Sequence, residues 1–359
     1  MQKKLIAIAI AAALAPAAAM ADTSNVVVYG KMHLSYDRFD NDAAANNTAS
    51  FVANNSSRLG FKGSEDLGDG MKAVWQLEAG IAADGETTQG ALNSVRDTFV
   101  GLSGNFGTVT AGRQAWHNLY AHDANMFSDQ IGAPSVWIDR GGRTNNSIKY
   151  ATPNMSGFSG SVTYVTPNGV GNGGTYTNTG VEGVNDEYDA SYAFKASYSN
   201  GPIFASLTHL KEGKSVTTAG KDDMKSTSIA GGYDFGAGKV VGQFVSYSDD
   251  LNVSGKDKDI WTIGGSYNVT GMSKVKAQYT KAKDSDTNGV KADDGAKMFT
   301  VGYDYSLSKR TTAYVAYSRV SNDTAGTYDV TGSGQGARYA AITADKDPTA
   351  LSLGLVHDF

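Results

Sequence analysis

The chain has no cysteine among its 359 residues and only 6 prolines. The first absence excludes a disulfide framework and any thiolate-ligated metal. The second leaves room for long unbroken strands, since proline inside a strand removes a ladder hydrogen bond. Long apolar runs are missing beyond residue 21, the mean hydropathy is −0.32, and hydrophobic residues make up 40%. A membrane helix, which needs about 20 consecutive apolar residues, is therefore excluded there. A membrane strand is not, because only every second residue of a barrel strand faces lipid and the average stays polar. Surplus positive charge is also missing: the formal charge is −5. That balance argues against nucleic acid as a partner.

The single apolar run lies at the start. Lys3 and Lys4 precede the segment Leu5 to Ala15, followed by Pro16 and then Ala19-Met20-Ala21. A basic region, an apolar region and an A-x-A site in this order read as a signal peptide. The expectation is a leader over residues 1–21, cut before Asp22, and one exported domain over residues 22–359.

Glycine and tyrosine are plentiful, at 43 and 19 residues. Both suit a chain of strands with tight turns and aromatic girdles. Alternation supports this directly, since successive strand residues point to opposite faces. Val26, Val28, Gly30, Met32, Leu34 and Tyr36 share one face, while Lys31, His33, Ser35 and Asp37 share the other. The period returns in Arg58 to Ser64, Met71 to Ile81, Arg96 to Ser103, Thr108 to Gln114 and Thr144 to Tyr150, and onward to Ala350 to Phe359. The count is about 16 strands, even as in bacterial barrels. Short turns such as Leu67-Gly68-Asp69-Gly70 and Asn200-Gly201-Pro202 alternate with long polar loops such as Asp40 to Asn55, Thr166 to Glu187, Asp284 to Ala296 and Ser321 to Thr349. Short turns on one rim and long loops on the other predict an all-β, transmembrane antiparallel β-barrel in an outer membrane, with lipid as its surroundings. In the last strand Leu351, Leu353, Leu355 and Phe359 share a face. That strand is expected to close the barrel against the first.

A charged residue facing lipid at mid-depth costs roughly 2–4 kcal/mol. Cations within strands should therefore face the lumen. Arg58 and Lys62 lie opposite Leu59 and Phe61; Arg96 shares the parity of Thr98, opposite Phe99; Arg143 and Lys149 lie opposite Ile148 and Tyr150. Arg113 shares the parity of Val109, which leaves its facing open. The connection Ala115 to Gly142 is long and rich in aromatics, with Trp116, Tyr120, Phe127 and Trp137 beside His117, His122, Asp123, Asp129, Asp139 and Arg140. Outside the barrel it would expose a large apolar patch. Folded inward, it would bury its aromatics, narrow the lumen and set its acids against the arginine wall.

Several of these segments carry a resemblance. Ser57-Arg58-Leu59-Gly60-Phe61-Lys62-Gly63-Ser64-Glu65-Asp66-Leu67-Gly68 resembles the second-strand motif of general diffusion porins from proteobacterial outer membranes. So do Arg96-Asp97-Thr98-Phe99-Val100-Gly101-Leu102, Phe106 to Gln114, Asn146 to Tyr150 and the ending Gly354 to Phe359. The resemblance spans residues 22–359 in order and implies the trimeric, 16-stranded branch with a constricting third loop. It implies a basic wall of Arg58, Lys62, Arg96 and Arg113 flanked by Arg140 and Arg143. Facing it would stand the loop acids Asp123 and Asp129. Relatives carry a Pro-Glu-Phe-Gly type loop tip; here the stretch is Ser128-Asp129-Gln130-Ile131-Gly132, with Asp129 in place of the acid. It further implies that Phe359 is an assembly signal read by the barrel-insertion machinery.

Enzyme readings lack support. The five histidines are His33, His117, His122, His209 and His357, with no H-E-x-x-H and no Gly-x-Ser-x-Gly. Gly169-x-Gly171-x-x-Gly174 sits in a low-complexity loop without strand–turn–helix context. Asp284-x-Asp286-x-Asn288-Gly289 begins like a calcium loop but has Gly295 where a bidentate glutamate belongs. No metal and no cofactor are expected. The expected function is passive diffusion of small hydrophilic solutes and ions through a homotrimeric channel, with weak anion preference. A substrate-specific channel, or a barrel serving mainly as surface adhesin or receptor, is the alternative.

Overall fold

The computed structural model describes residues 25–42, 48–85, 92–116, 119, 121–138, 142–167, 189–213, 223–248, 257–287, 289–331 and 342–359. The expected leader, the Gly169 to Gly174 loop and Arg140 lie outside them. Sixteen antiparallel strands form one closed sheet. They are β1 (Asn25–Asp40), β2 in two segments (Thr48–Asn54 and Arg58–Gly68), β3 (Met71–Ile81), β4 (Leu92–Gly104), β5 (Gly107–Ala115), β6 (Arg143–Ala151), β7 (Phe158–Val165) and β8 (Ser191–Asn200). Then follow β9 (Ile203–Glu212), β10 (Met224–Asp234), β11 (Gly238–Ser248), β12 (Lys258–Asn268), β13 (Ser273–Ala282), β14 (Ala296–Ser306), β15 (Thr311–Asn322) and β16 (Thr349–Asp358). Each pairs with its sequence neighbour, and β16 returns to β1 from Lys31↔Asp358 to Asp40↔Thr349. Among the described residues no strand of this sheet is left as an edge, which is the condition for strands to lie in hydrocarbon.

The barrel is apolar outside. Val26, Val28, Tyr36, Leu351, Leu353 and Leu355 are exposed, while Ser35, Asp37 and Ser352 on the opposite parity are buried. A water-soluble barrel would have these faces exchanged. Phe359 follows β16 and completes the closure: its N–H donates to Gly30 O (3.1 Å) and its carbonyl accepts from Gly30 N–H (3.0 Å). Its ring lies over Gly30, where an added Cβ would fall 2.3 Å from the ring Cζ.

One expected loop is strand instead. Thr48–Asn54 pairs with the upper half of β1 and Arg58–Gly68 with the lower half. Between Asn54 and Arg58 the chain carries one residue more than β1 does, and Ser56 takes a φ of +59°. This is a β-bulge. It resets the parity, so inward Ala53, Asn55 and Ser57 are followed by inward Arg58, and a fixed alternation reads the segment as broken.

The connection between β5 and β6 folds inward. Trp116, Leu119, Phe127, Ile131, Trp137 and Ile138 are buried there, packed with Leu210, Val245, Ile260, Met298 and Val320 of the wall. Two short helical turns, His122–Ala124 and Ser135–Ile138, give it shape. Among the described residues no helix is long and apolar enough to cross a membrane. In the loop after β13, Asp286–Thr287 pairs with Val290–Lys291 as a small hairpin. Its carboxylates cap the loop's own amides: Gly289 N–H donates to Asp286 and Gly295 N–H to Asp284.

Candidate functional site

Inside the barrel, the wall from β1 to β6 carries the charge. Its arginines sit at irregularities in the ladder. Arg58 follows the bulge at Ser56. In the β3–β4 pair the register moves from Leu77↔Thr98 to Ala79↔Val95, so Arg96 and Asp97 together oppose Glu78. In the β5–β6 pair it moves from Gly112↔Ser147 to Gln114↔Thr144, with Arg113 opposite the extra residue. Bulges re-aim side chains. The outward positions Val100 and Leu102 share the parity of Thr98. Arg96 therefore reaches the lumen through the bulge, not by simple alternation, and Asp97 comes with it.

These side chains form two linked groups. In one, Glu78 is 6% exposed. It accepts from Arg96 Nε and from Tyr29 Oη (2.9 Å), with Arg143 Nη2 at 3.6 Å. Arg143 Nε donates to Asp97 Oδ1 (2.8 Å), which also accepts the Ala115 N–H (2.9 Å). In the other, Asp129 on the inward loop lies between Lys31 Nζ (3.7 Å) and Arg58 Nη1 (3.8 Å). Lys31 and Arg58 are themselves cross-strand partners. The cations keep about a fifth of their side-chain surface exposed, so solvent screens these pairs.

The other expected residues are placed differently. Lys62 lies toward the short-turn rim, with its ammonium 5.0 Å from the centre of the Tyr29 ring. Arg113 is held along the wall by Val95 O (2.9 Å) and Asn145 Oδ1 (2.7 Å). Asp123 is not brought to the arginines. It is exposed in the first helical turn, and among the described residues only its main-chain oxygen meets a cation, Lys239 Nζ at 3.3 Å. The loop runs beside β10 to β12 at that point and reaches the arginine side only near Asp129.

Sequence reasoning missed Glu78, Asp97, Tyr29 and Lys31 as members of the group. Glu78 carried a usable signal, being a strand carboxylate on the parity of Gln76, opposite Leu77. Asp97 carried none, because the bulge decides its facing.

The far wall holds the loop by its backbone. Gln243 on β11 accepts the Ala121 N–H (3.3 Å) and donates to Leu119 O. Gln278 on β13 accepts the Met126 N–H (3.1 Å) and donates to Ala124 O (2.9 Å). Each side-chain amide thus makes the reciprocal pair that a neighbouring strand would make. Lys276, also buried, bridges Gln130 Oε1 (2.8 Å) and Asp304 (2.9 Å) with its ammonium 4.6 Å from the Phe127 ring centre. Tyr247 donates to Ile138 O (2.7 Å) and Thr300 to Gly132 O (3.2 Å). Gly132 has φ +67°, and a Cβ there would lie 2.1 Å from Thr300 Oγ1. The tip can approach this closely only as glycine. The arrangement sets a basic wall on one side of the lumen against a fixed loop on the other.

A family model described as Gram-negative porin matches residues 7–325. The outer membrane porin protein 32 of Delftia acidovorans is 31% identical over all of both chains, and the major outer membrane protein P.IB of Neisseria gonorrhoeae is 30% identical over 88% of this chain and 92% of its own. Among solved structures, an anion-selective porin from Comamonas acidovorans superposes with a TM-score of 0.76 at 28% identity, covering 94% of this chain and 100% of that one. OmpT of Vibrio cholerae shares the fold, with a TM-score of 0.66 at 18% identity over 94% of this chain and 98% of that one. With a closed barrel of 16 strands, a loop folded into its lumen and these similarities, the chain belongs to the Gram-negative porin family, outer-membrane channels for passive diffusion.

Proposed function

We propose that the channel prefers anions, and that its selective section is formed by Lys31, Arg58, Arg96 and Arg143 with Glu78, Asp97 and Asp129. Lys62 and Arg113 extend the basic wall on either side, and small hydrophilic solutes and ions are the cargo. One observation carries the reading: on the β1–β6 wall cations outnumber the acids that pair with them. Charges at a narrowing set selectivity more than net charge does, because charge on outer loops is screened within about 8–10 Å. The name of the Comamonas acidovorans relative, an anion-selective porin, points the same way. The proposal assigns the chain no catalytic step and no cofactor. It takes residues 1–21 as a leader removed before Asp22, a homotrimer as the assembly, and Phe359 as the residue by which the insertion machinery reads the last strand.

The test is the reversal potential of the purified protein in a planar bilayer under a KCl gradient. Stepwise ohmic conductance with reversal on the chloride side is expected, and Arg96→Ala should move the reversal toward zero. Reversal on the potassium side, or no change in Arg96→Ala, would overturn the assignment.

A further inference from the structure

Three inward positions stand side by side across β1, β2 and β3: Tyr29 pairs with Gly60, and Gly60 with Glu78. The middle position has no side chain. The Tyr29 ring lies in the space this leaves, so that a Cβ added at Gly60 would overlap the ring and its hydroxyl. Neighbouring strands run about 4.8 Å apart. Tyr29 and Glu78 therefore start about twice that distance apart, and a long side chain crossing an empty middle position joins them. Tyr29 Oη donates to Glu78 Oε2 at 2.9 Å. The ring is braced on β2 as well, where the Lys62 ammonium stands 5.0 Å from its centre. A cation over an aromatic face is attracted by the ring quadrupole.

The donors divide the two oxygens of Glu78 between them. Arg96 Nε bonds Oε1, and Arg143 Nη2 stands 3.6 Å from the same oxygen. Oε2 goes to Tyr29, the one uncharged donor among the described residues that bond this carboxylate. The last torsion of a glutamate is broad. Contacts on one oxygen alone leave the carboxylate free to turn about it, and a donor on the second oxygen fixes the plane. Held in this way Glu78 is 6% exposed, so its charge lies against the wall. Released, its second oxygen would turn to the water of the lumen, where a carboxylate is best solvated.

We infer that Tyr29 is a positioning residue for ion selectivity: its hydroxyl holds the Glu78 carboxylate against the wall, so that Arg96 and Arg143, and not Glu78, face the passing ion. The inference rests on the role proposed above for this wall in anion preference, and it adds to that role a neutral residue that sets how much of the acid an ion meets.

The test is Tyr29→Phe, which keeps the ring over Gly60 and beneath Lys62 and removes only the hydroxyl. The heat-dependent mobility of the barrel on a gel should be unchanged. In a planar bilayer under a KCl gradient, the chloride-to-potassium permeability ratio should fall roughly twofold, the effect in water of a unit charge brought from about 8 Å to about 5 Å from the ion. Glu78→Gln should move the ratio the opposite way. With Glu78→Gln already in place, adding Tyr29→Phe should leave the ratio where it is, because the charge that the hydroxyl steers is gone. An unchanged ratio in Tyr29→Phe beside a shifted one in Arg96→Ala would overturn the inference and leave the role of the wall standing. An equal fall with and without Glu78→Gln would also overturn it, since Tyr29 would then act through another group. No shift in either Tyr29→Phe or Arg96→Ala would overturn the inference and the role of the wall together.

Discussion

Glu78 is the residue on which the basic wall turns. Arg96 Nε and Tyr29 Oη donate to it and Arg143 approaches it, so its charge offsets two arginines at once. Glu78→Gln keeps the shape and removes the charge. A unit charge about 5 Å from a passing ion in water contributes about 0.8 kcal/mol, a factor of roughly four in relative permeability. The reversal potential of Glu78→Gln should therefore shift further to the anion side by an amount of that order. A shift to the cation side would mean that the liberated arginines turn away from the passage. Residues such as Glu78 and Lys31 are legible in principle, because a strand charge must face the lumen. Arg58 and Arg143 were readable on that rule. Asp97 was not, since it neighbours Arg96 and no fixed alternation turns both inward. Asp123 failed for a different reason: composition placed an acid in the loop, but the loop's path decides which wall it meets.

The strands themselves were legible, because burial on one face and lipid on the other impose a period of two on nearly every one of them. The exceptions are the bulges at Ser56, at Arg96–Asp97 and at Asn145–Asn146, where an extra residue resets the phase. The inward fold of the third loop was legible from its aromatics, which need burial. Its fastenings were not. Gln243 meets Ala121 across 122 residues of sequence, and nothing local marks either as a partner. Gln243→Ala/Gln278→Ala would leave Leu119 O, Ala121 N–H, Ala124 O and Met126 N–H without those partners. Each buried polar group left unmade costs about 1–3 kcal/mol. The barrel should still form, because its ladders and the contacts of Phe127, Tyr247 and Thr300 are untouched. The loop should fluctuate, and single-channel records should show excess open-channel noise and additional sublevels at unchanged trace polarity. Records indistinguishable from the unsubstituted protein would show that the apolar plug alone fixes the loop.

At the scale of the whole molecule, one seam turns sixteen strands into a closed surface, and it ends at Phe359. Two backbone hydrogen bonds and the ring lying over Gly30 finish the ladder between β16 and β1. Both residues are on the outer side of the wall, away from Lys31, Arg58 and Asp129. Removing Phe359 should thus lower the yield of folded barrel in the membrane while leaving conductance and ion selectivity of the surviving channels unchanged. Gly30→Ala would place a Cβ 2.3 Å from the ring and 2.6 Å from Arg58 O, displacing the ring and straining the seam. Because the two changes act largely on one contact, their effects should not add. The doubly altered protein should assemble about as well as the poorer of the two single ones, measured as heat-modifiable barrel per cell. Additive losses would place the role of Phe359 away from Gly30, and altered selectivity in any surviving channel would place the seam inside the passage.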